Sequence, residues 1–458
     1  MEENNFDELF ELVEKNDFKE LKNRFIEMNY VDIAEFIMLI ENEKTAVVVF
    51  RILPKDMSAD VFAYLDADWQ QLIIQSISDK EIENIMSDIF IDDAVDFLEE
   101  VPASVVKRVL AHTDKQTRET INKFLKYPEN CAGSVMTIEM VELHDRLDVK
   151  QAIETIRKSG VDKETIYTCY CIDDKRHLVG TLPLRRLLLS EEDVKIKDIM
   201  ADDEQLVFVT TMDDQENVAA LAKKYDLLSV PVVDNEKRLV GIITIDDIVD
   251  IIEEEATEDF EKMALLMPSE GEYLKTGVLT LAKNRLVWLL VLMVSATFTG
   301  QIIEGFENKL ALVAGLTACI PMLMDTGGNS GNQVSTLIIR GLALGDITIK
   351  DYFKVLWKEI RVSLICGITL GIVNFFRMIA LRYILHTEAS NSVILVVCLS
   401  IIFTVMVAKT IGCTLPIIAK QLKLDPALMA GPMITTILDA ISLLIYFSFA
   451  NLIIDFKV

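Results

Sequence analysis

Apolar and polar positions follow three different rhythms along this chain. Over residues 1–129 apolar side chains recur every three or four positions, with turns at LPKD (53–56) and VPAS (101–104) and no strand-like alternation. That pattern predicts short helix pairs wound into a small superhelix. Residues 130–255 contain an internal repeat, whose HLVG and RLVG elements begin at His177 and Arg238, 61 residues apart. Each copy predicts a strand, an amphipathic helix, two strands about a turn and a closing helix. From residue 281 onward apolar residues run in blocks. Five stretches, 286–303, 310–339, 362–381, 389–419 and 426–454, are long enough to cross about 30 Å of hydrocarbon at 1.5 Å per residue. The expected fold class is an α-helical membrane protein with five transmembrane helices per subunit. It carries a cytosolic all-α superhelical N-terminal domain (1–129) and an α/β tandem repeat (130–197 and 198–252). A connecting helix and linker (253–280) lead to the transmembrane domain (281–458).

Charge sharpens the division. Residues 1–270 hold 61 Asp and Glu against 30 Lys and Arg, whereas 271–458 hold 11 against 15. An acidic excess excludes nucleic acid as a partner, because phosphate binding needs Lys and Arg, and it points to cations. The acidic N-terminus MEENNFDELFELVEKND has no basic and apolar signal-peptide pattern. Seven scattered cysteines without a CxxC pair read as reduced thiols. Basic residues gather on the same side of the apolar stretches: Lys275, Lys283 and Arg285, then Arg340, Lys350, Lys354, Lys358 and Arg361, then Lys420 and Lys423. The opposite ends hold Lys309, Arg377, Arg382 and Lys457. The positive-inside rule therefore places the N-terminus in the cytoplasm and the C-terminus outside, in a multi-pass protein of the cell membrane.

Few polar groups enter the apolar stretches, and they are the candidate chemistry. In the last stretch Asp425 is a candidate N-cap and Pro426 begins a helix, while Pro432 beside Gly431 predicts a kink inside it. Asp439 lies about 21 Å along that helix if it is unbroken. A carboxylate there costs roughly 2.5–3.5 kcal/mol on insertion scales, so it is expected to face a water-filled path with Thr435, one turn back. Pairing with Lys409 of the fourth stretch is the alternative. In the second stretch Asp325, Asn329, Asn332 or Gln333, and Thr336 share a helical face, and Gly327, Gly328 and Gly331 permit close approach. Amides with a lone carboxylate suit an ion that keeps its waters, as Mg2+ does, and the lack of a His or Cys cluster disfavours Zn2+ and Cu+.

At these residues the sequence resembles the MgtE family of magnesium channels. The resemblance rests on P-x-x-x-D-x-G-G-N-x-G-x-Q at 321–333 and on D-P-A-L-x-x-G-P-x-x-T-T-x-x-D at 425–439, and it extends over nearly the whole chain. It implies a homodimer in the lipid bilayer with the ion path at the dimer axis and Asp439 marking the ion site. The tandem repeat is similar to paired cystathionine-β-synthase (CBS) domains. The resemblance puts an adenosine ribose at Thr-x-x-Asp, which Thr244 and Asp247 match in the second copy. The first copy has Pro183 and Arg186 instead, so it implies ATP on one side only. It further implies that the connecting helix acts as a plug, and that Asp247, Asp250, Glu255, Glu258, Asp259, Glu216 and Asp226 sense Mg2+.

The acidic patterns agree with such sensing. Asp246 or Asp247, Asp250, Glu254 and Glu258 stack like charges at helical spacing, which costs a few tenths of a kcal/mol per pair unless a cation neutralises them. In the N-terminal domain Asp88, Asp92, Asp93 and Asp96 cluster, the first, second and fourth on one expected helical face. The expected function is a magnesium channel or transporter closed by internal Mg2+. No GxxxxGK[ST] motif is present, and a negative-inside potential supplies about 4.6 kcal/mol per 100 mV to a divalent cation. Competing readings are a membrane-anchored CBS nucleotide sensor and an ion-coupled secondary transporter. Four isolated histidines, His112, His144, His177 and His386, form no catalytic spacing, so no enzyme is expected.

Overall fold

The computed structural model describes residues 6–201, 206–268, 273–274, 276–313, 315–384 and 390–454. Lys275, His386, Lys457 and the side chain of Lys309 lie outside that set. The chain divides into two compact units, Met1–Ile252 and Glu253–Val458.

The first unit opens with ten helices of eight to ten residues, from Asp7–Glu14 to Lys115–Phe124. Helices this short are marginal alone, so tertiary burial sustains them. Local signals set their starts: Asp17, Asn42, Ser78 and Asp114 accept backbone N–H groups, and Ser78 with Glu81 closes a capping box. Phe25, Phe36, Phe62 and Phe97 lie in the shared core, with Phe62 and Phe97 edge to face at 5.2 Å. The expected face of three aspartates does not form as the spacing suggested. The helix Asp79–Asp88 ends at Asp88 and the next begins at Ile91, so Asp88 does not share a helix face with Asp92 and Asp96. Ile89 in extended conformation separates the two helices.

Both repeats fold as expected. Strand β1 (Val141–His144) lies parallel to β2 (Thr168–Ile172), with the helix Val149–Ser159 between them, and β2 pairs antiparallel with β3 (Leu178–Pro183). The second copy repeats this with β4 (Val209–Thr210), the helix Gln215–Tyr225, β5 (Ser229–Val233) and β6 (Leu239–Thr244). The lead-in of each copy pairs with the other copy. Thr137 and Ile242 exchange two backbone hydrogen bonds, and Ala201 N–H donates to Thr181 O. This crossing explains the repeated glycine. A Cβ at Gly180 would fall 2.5 Å from Ala201 O, and one at Gly241 would fall 2.7 Å from Thr137 O. The boundary at 198 thus separates residues that pair across it. The closing helices also differ, Leu184–Leu188 in the first copy and Ile245–Met263 in the second, so the boundary at 252 falls inside one continuous helix.

Among the described residues the second unit contains five long helices: Val278–Gly305, Leu316–Ala343, Tyr352–Ile384, Asn391–Gln421 and Gly431–Ile453, called the first to fifth membrane helices. Four are long and apolar enough to cross a membrane. The second has comparable length, 28 residues, but carries the polar run from Asp325 to Thr336. Glycine brings it against the fourth helix, since a Cβ at Gly412 would fall 2.5 Å from Gly331 O. The fifth segment differs from expectation. Asp425 does cap, accepting from Ala427 N at 2.8 Å, but Pro426–Met429 forms only a 3-10 turn. Ala430 is extended, and a new helix begins at Gly431 with Pro432 in its first turn. Proline costs nothing there because the first N–H groups of a helix have no intrahelical acceptor. A break replaces the expected kink.

Candidate functional site

In the membrane unit the break itself is held by the second helix. Asn332 Oδ1 accepts from Gly431 N at 2.9 Å, and Ser335 Oγ donates to Met429 O at 2.6 Å. These bonds satisfy backbone groups that hydrocarbon would leave unmatched. Gly431 adopts φ +52°, and a Cβ there would collide with the carbonyl oxygen of Met263 at the end of the connecting helix. Lys262, one residue earlier, donates to Glu258 Oε1 at 2.8 Å and to Asp425 Oδ2 at 2.7 Å. Burial and then Asp425 raise the pKa of the neighbouring Asp259 above the usual carboxylate range.

Asp439 stands eight residues past Gly431, about 12 Å along the restarted helix rather than 21 Å along an unbroken one. It is half-buried and within electrostatic reach of Asp325. Asp325 accepts from Asn329 Nδ2 at 2.9 Å, and Asp325, Asn329, Gln333 and Thr336 form an exposed face. Asn332 is not on it, being turned to the break. Thr435 spends its hydroxyl proton on Gly431 O at 3.0 Å, and its methyl faces Gly328. Lys409 is buried at 6% exposure, but among the described residues no ion pair joins it to Asp439. The alternative partner for Asp439 is therefore not seen.

In the first unit Asp92, Asp93 and Asp96 on the helix Ile91–Glu100 gather with Asp246 and Asp247 at the start of the connecting helix. Asp60, Glu139 and Glu164 join them, and these three escape sequence reasoning because they lie in other elements. Burial, followed by the like charges around them, pushes Asp93 and Asp247 to about 6, Asp96 to about 7 and Glu164 to about 8. Asp92, 7% exposed, is raised well above its ordinary value by the same causes. These acids repel one another, yet among the described residues no three acidic, His or Cys side chains converge as direct metal ligands.

The remaining candidates are spread out. Glu216 opens the helix Gln215–Tyr225 and Asp226 closes it in left-handed conformation at φ 51°, about 15 Å apart by helical rise. They serve different positions. Asp250, Glu255, Glu258 and Asp259 all lie on the connecting helix. Thr244 Oγ1 donates to Asp247 Oδ2 at 2.7 Å, so one carboxylate belongs both to the acidic cluster and to the candidate ribose pair. Lys262 also escapes sequence reasoning, although its four-residue spacing from Glu258 was an available signal.

Residues 320–449 match the MgtE divalent cation transporter domain, 28–130 the MgtE intracellular N domain and 196–254 the CBS domain. The magnesium transporter MgtE of Thermus thermophilus is 33% identical over 458 residues, covering 99% of this chain and 100% of that protein. The Bacillus subtilis magnesium transporter MgtE is 30% identical over 96% of this chain and 95% of its own length. A solved cytosolic domain of the Mg2+ channel MgtE in complex with ATP is 32% identical, with a TM-score of 0.50, covering 53% of this chain and 98% of that one. Full-length agreement at this level, on top of five long helices with one polar face among them, shows that the chain belongs to the MgtE family of magnesium transporters.

Proposed function

We propose that this protein passes hydrated Mg2+ down its electrochemical gradient along a path lined by Asp325, Asn329, Gln333 and Asp439. The observation that carries this reading is a pair of intramembrane carboxylates beside an exposed polar face on a helix otherwise long enough to span. Hydrocarbon does not solvate such a face, so a water-filled path or a second copy of the chain must cover it. A homodimer that encloses the path meets both needs. The working orientation in the cell membrane is a cytoplasmic N-terminus and an external C-terminus, and the role is transport rather than catalysis. Asp92, Asp93, Asp96, Asp246 and Asp247, with Glu216, Asp226, Asp250, Glu255, Glu258 and Asp259, sense internal Mg2+ by losing their mutual repulsion when a divalent ion binds. ATP binds at Thr244 and Asp247 of the second repeat. Support for the nucleotide site comes from the solved relative in complex with ATP.

Current through the reconstituted protein, recorded over a series of internal Mg2+ concentrations, tests the reading. The wild type should close as Mg2+ rises, and Asp92→Asn/Asp93→Asn/Asp96→Asn should conduct but close only at higher Mg2+. Closure of the triple variant at the wild-type concentration would remove this cluster from the sensor. Deleting residues 1–129 is a harsher version, since their core is continuous with Val209, Val218 and Ile243 of the second repeat.

A further inference from the structure

Hydroxyls on membrane helices ordinarily donate to a carbonyl one turn back, because hydrocarbon offers no water. Thr326, Thr369, Thr410, Thr435 and Thr436 do so here at 2.7 to 3.0 Å. Ser400 and Thr404, one turn apart on the fourth membrane helix, do not. They are 0% and 1% exposed, and neither hydroxyl oxygen has a hydrogen-bond partner among the described residues. Thr404 stands where three helices meet. A Cβ on Gly327 of the second helix would fall 2.9 Å from Thr404 Cγ2 and would collide with the hydroxyl of Ser442 on the fifth. Ser442 is itself 1% exposed. By helical rise Gly327, Thr404 and Ser442 each lie about 17–20 Å from the start of their helix, so they meet near mid-membrane.

A buried hydroxyl left unmatched is destabilising, and Ala or Val would fill similar volume without that penalty. We propose that Ser400 and Thr404, buried and unpartnered one turn apart, together hold one water molecule on their shared face of the fourth membrane helix. Water takes two to four such partners. The donors are neutral hydroxyls, whereas a cation at this depth calls for a carboxylate in its shell.

The test is the sign of a stability change. In full-length protein in lipid nanodiscs, Thr404→Val keeps the shape and removes the hydroxyl, and should lower the unfolding midpoint by roughly 2–4 °C. Thr404→Ser keeps the hydroxyl and should fall measurably less. A raised or unchanged midpoint for Thr404→Val means the hydroxyl was an orphan, and overturns the proposal. Ser400→Ala gives the same reading if Thr404→Val does not fold. High-resolution density should show a solvent peak within hydrogen-bond distance of both Thr404 Oγ1 and Ser400 Oγ. Empty density overturns the site, and an anomalous Tl+ peak there overturns water in favour of a cation.

Discussion

The ammonium group of Lys262 lies 2.7 Å from a carboxylate oxygen of Asp425, joining the end of the connecting helix to the residue that caps the turn before the fifth membrane helix. Met263, the next residue, packs against Ile339, Ala427 and Ala430. The contact thus brings the connecting helix to the point where the helix bearing Asp439 restarts.

Lys262→Met should loosen this joint. The pair is partly exposed, so after solvent screening it is worth roughly 1 kcal/mol or less. The expected effect is a shift of up to about five-fold in the Mg2+ concentration that closes the pathway. A double-mutant cycle with Asp425→Asn checks it, because additive effects would mean that the two side chains act separately.

Asp439→Asn should abolish Mg2+ passage and leave the fold intact. Flux into liposomes, read beside size-exclusion behaviour in detergent, separates loss of the path from loss of the protein. Wild-type flux in a well-folded variant would refute the assignment of this carboxylate to the path.

Adjacent amides should behave differently. Asn332→Leu strands the N–H of Gly431, and leaving a buried donor unmatched costs about 1–3 kcal/mol, so thermal stability in lipid should drop. Gln333→Leu removes an exposed polar group, so stability should hold while conductance falls. Equal stability loss in both variants would contradict the separate roles.

The acidic cluster predicts a linked dependence on pH and Mg2+. Asp93, Asp96, Asp247 and Glu164 have folded pKa values of about 6, 7, 6 and 8, all above their ordinary values. Between the ordinary and the raised value the folded state binds more protons than the unfolded one, so stability falls as pH rises. In chelator, the unfolding midpoint of the cytosolic region should fall from about pH 4 to about pH 8. Mg2+ should restore it at pH 8 and do little at pH 5, where protons already neutralise the cluster. Equal rescue by Na+ at matched ionic strength would reduce the effect to screening.

Periodicity and composition were sufficient for the architecture, because each signal is local. Apolar blocks of membrane length, a 61-residue repeat and capping residues such as Ser78 and Asp425 act within a few turns of chain, and the family motifs at 321–333 and 425–439 are contiguous. Tertiary structure decided what spacing leaves degenerate. Asn332 and Gln333 both fit the polar face by angle, and only the acceptor needed by Gly431 N turns Asn332 away from it. Pro432 reads as a kink inside a helix, and only the left-handed Gly431 pressed against Met263 makes it a helix start instead. Glu139 and Glu164 joined the acidic cluster only once the repeat had folded beside the helix Ile91–Glu100, since like-charge repulsion across separate elements leaves no periodic mark in the sequence. Partners 163 residues apart, as Lys262 and Asp425 are, come together through packing alone.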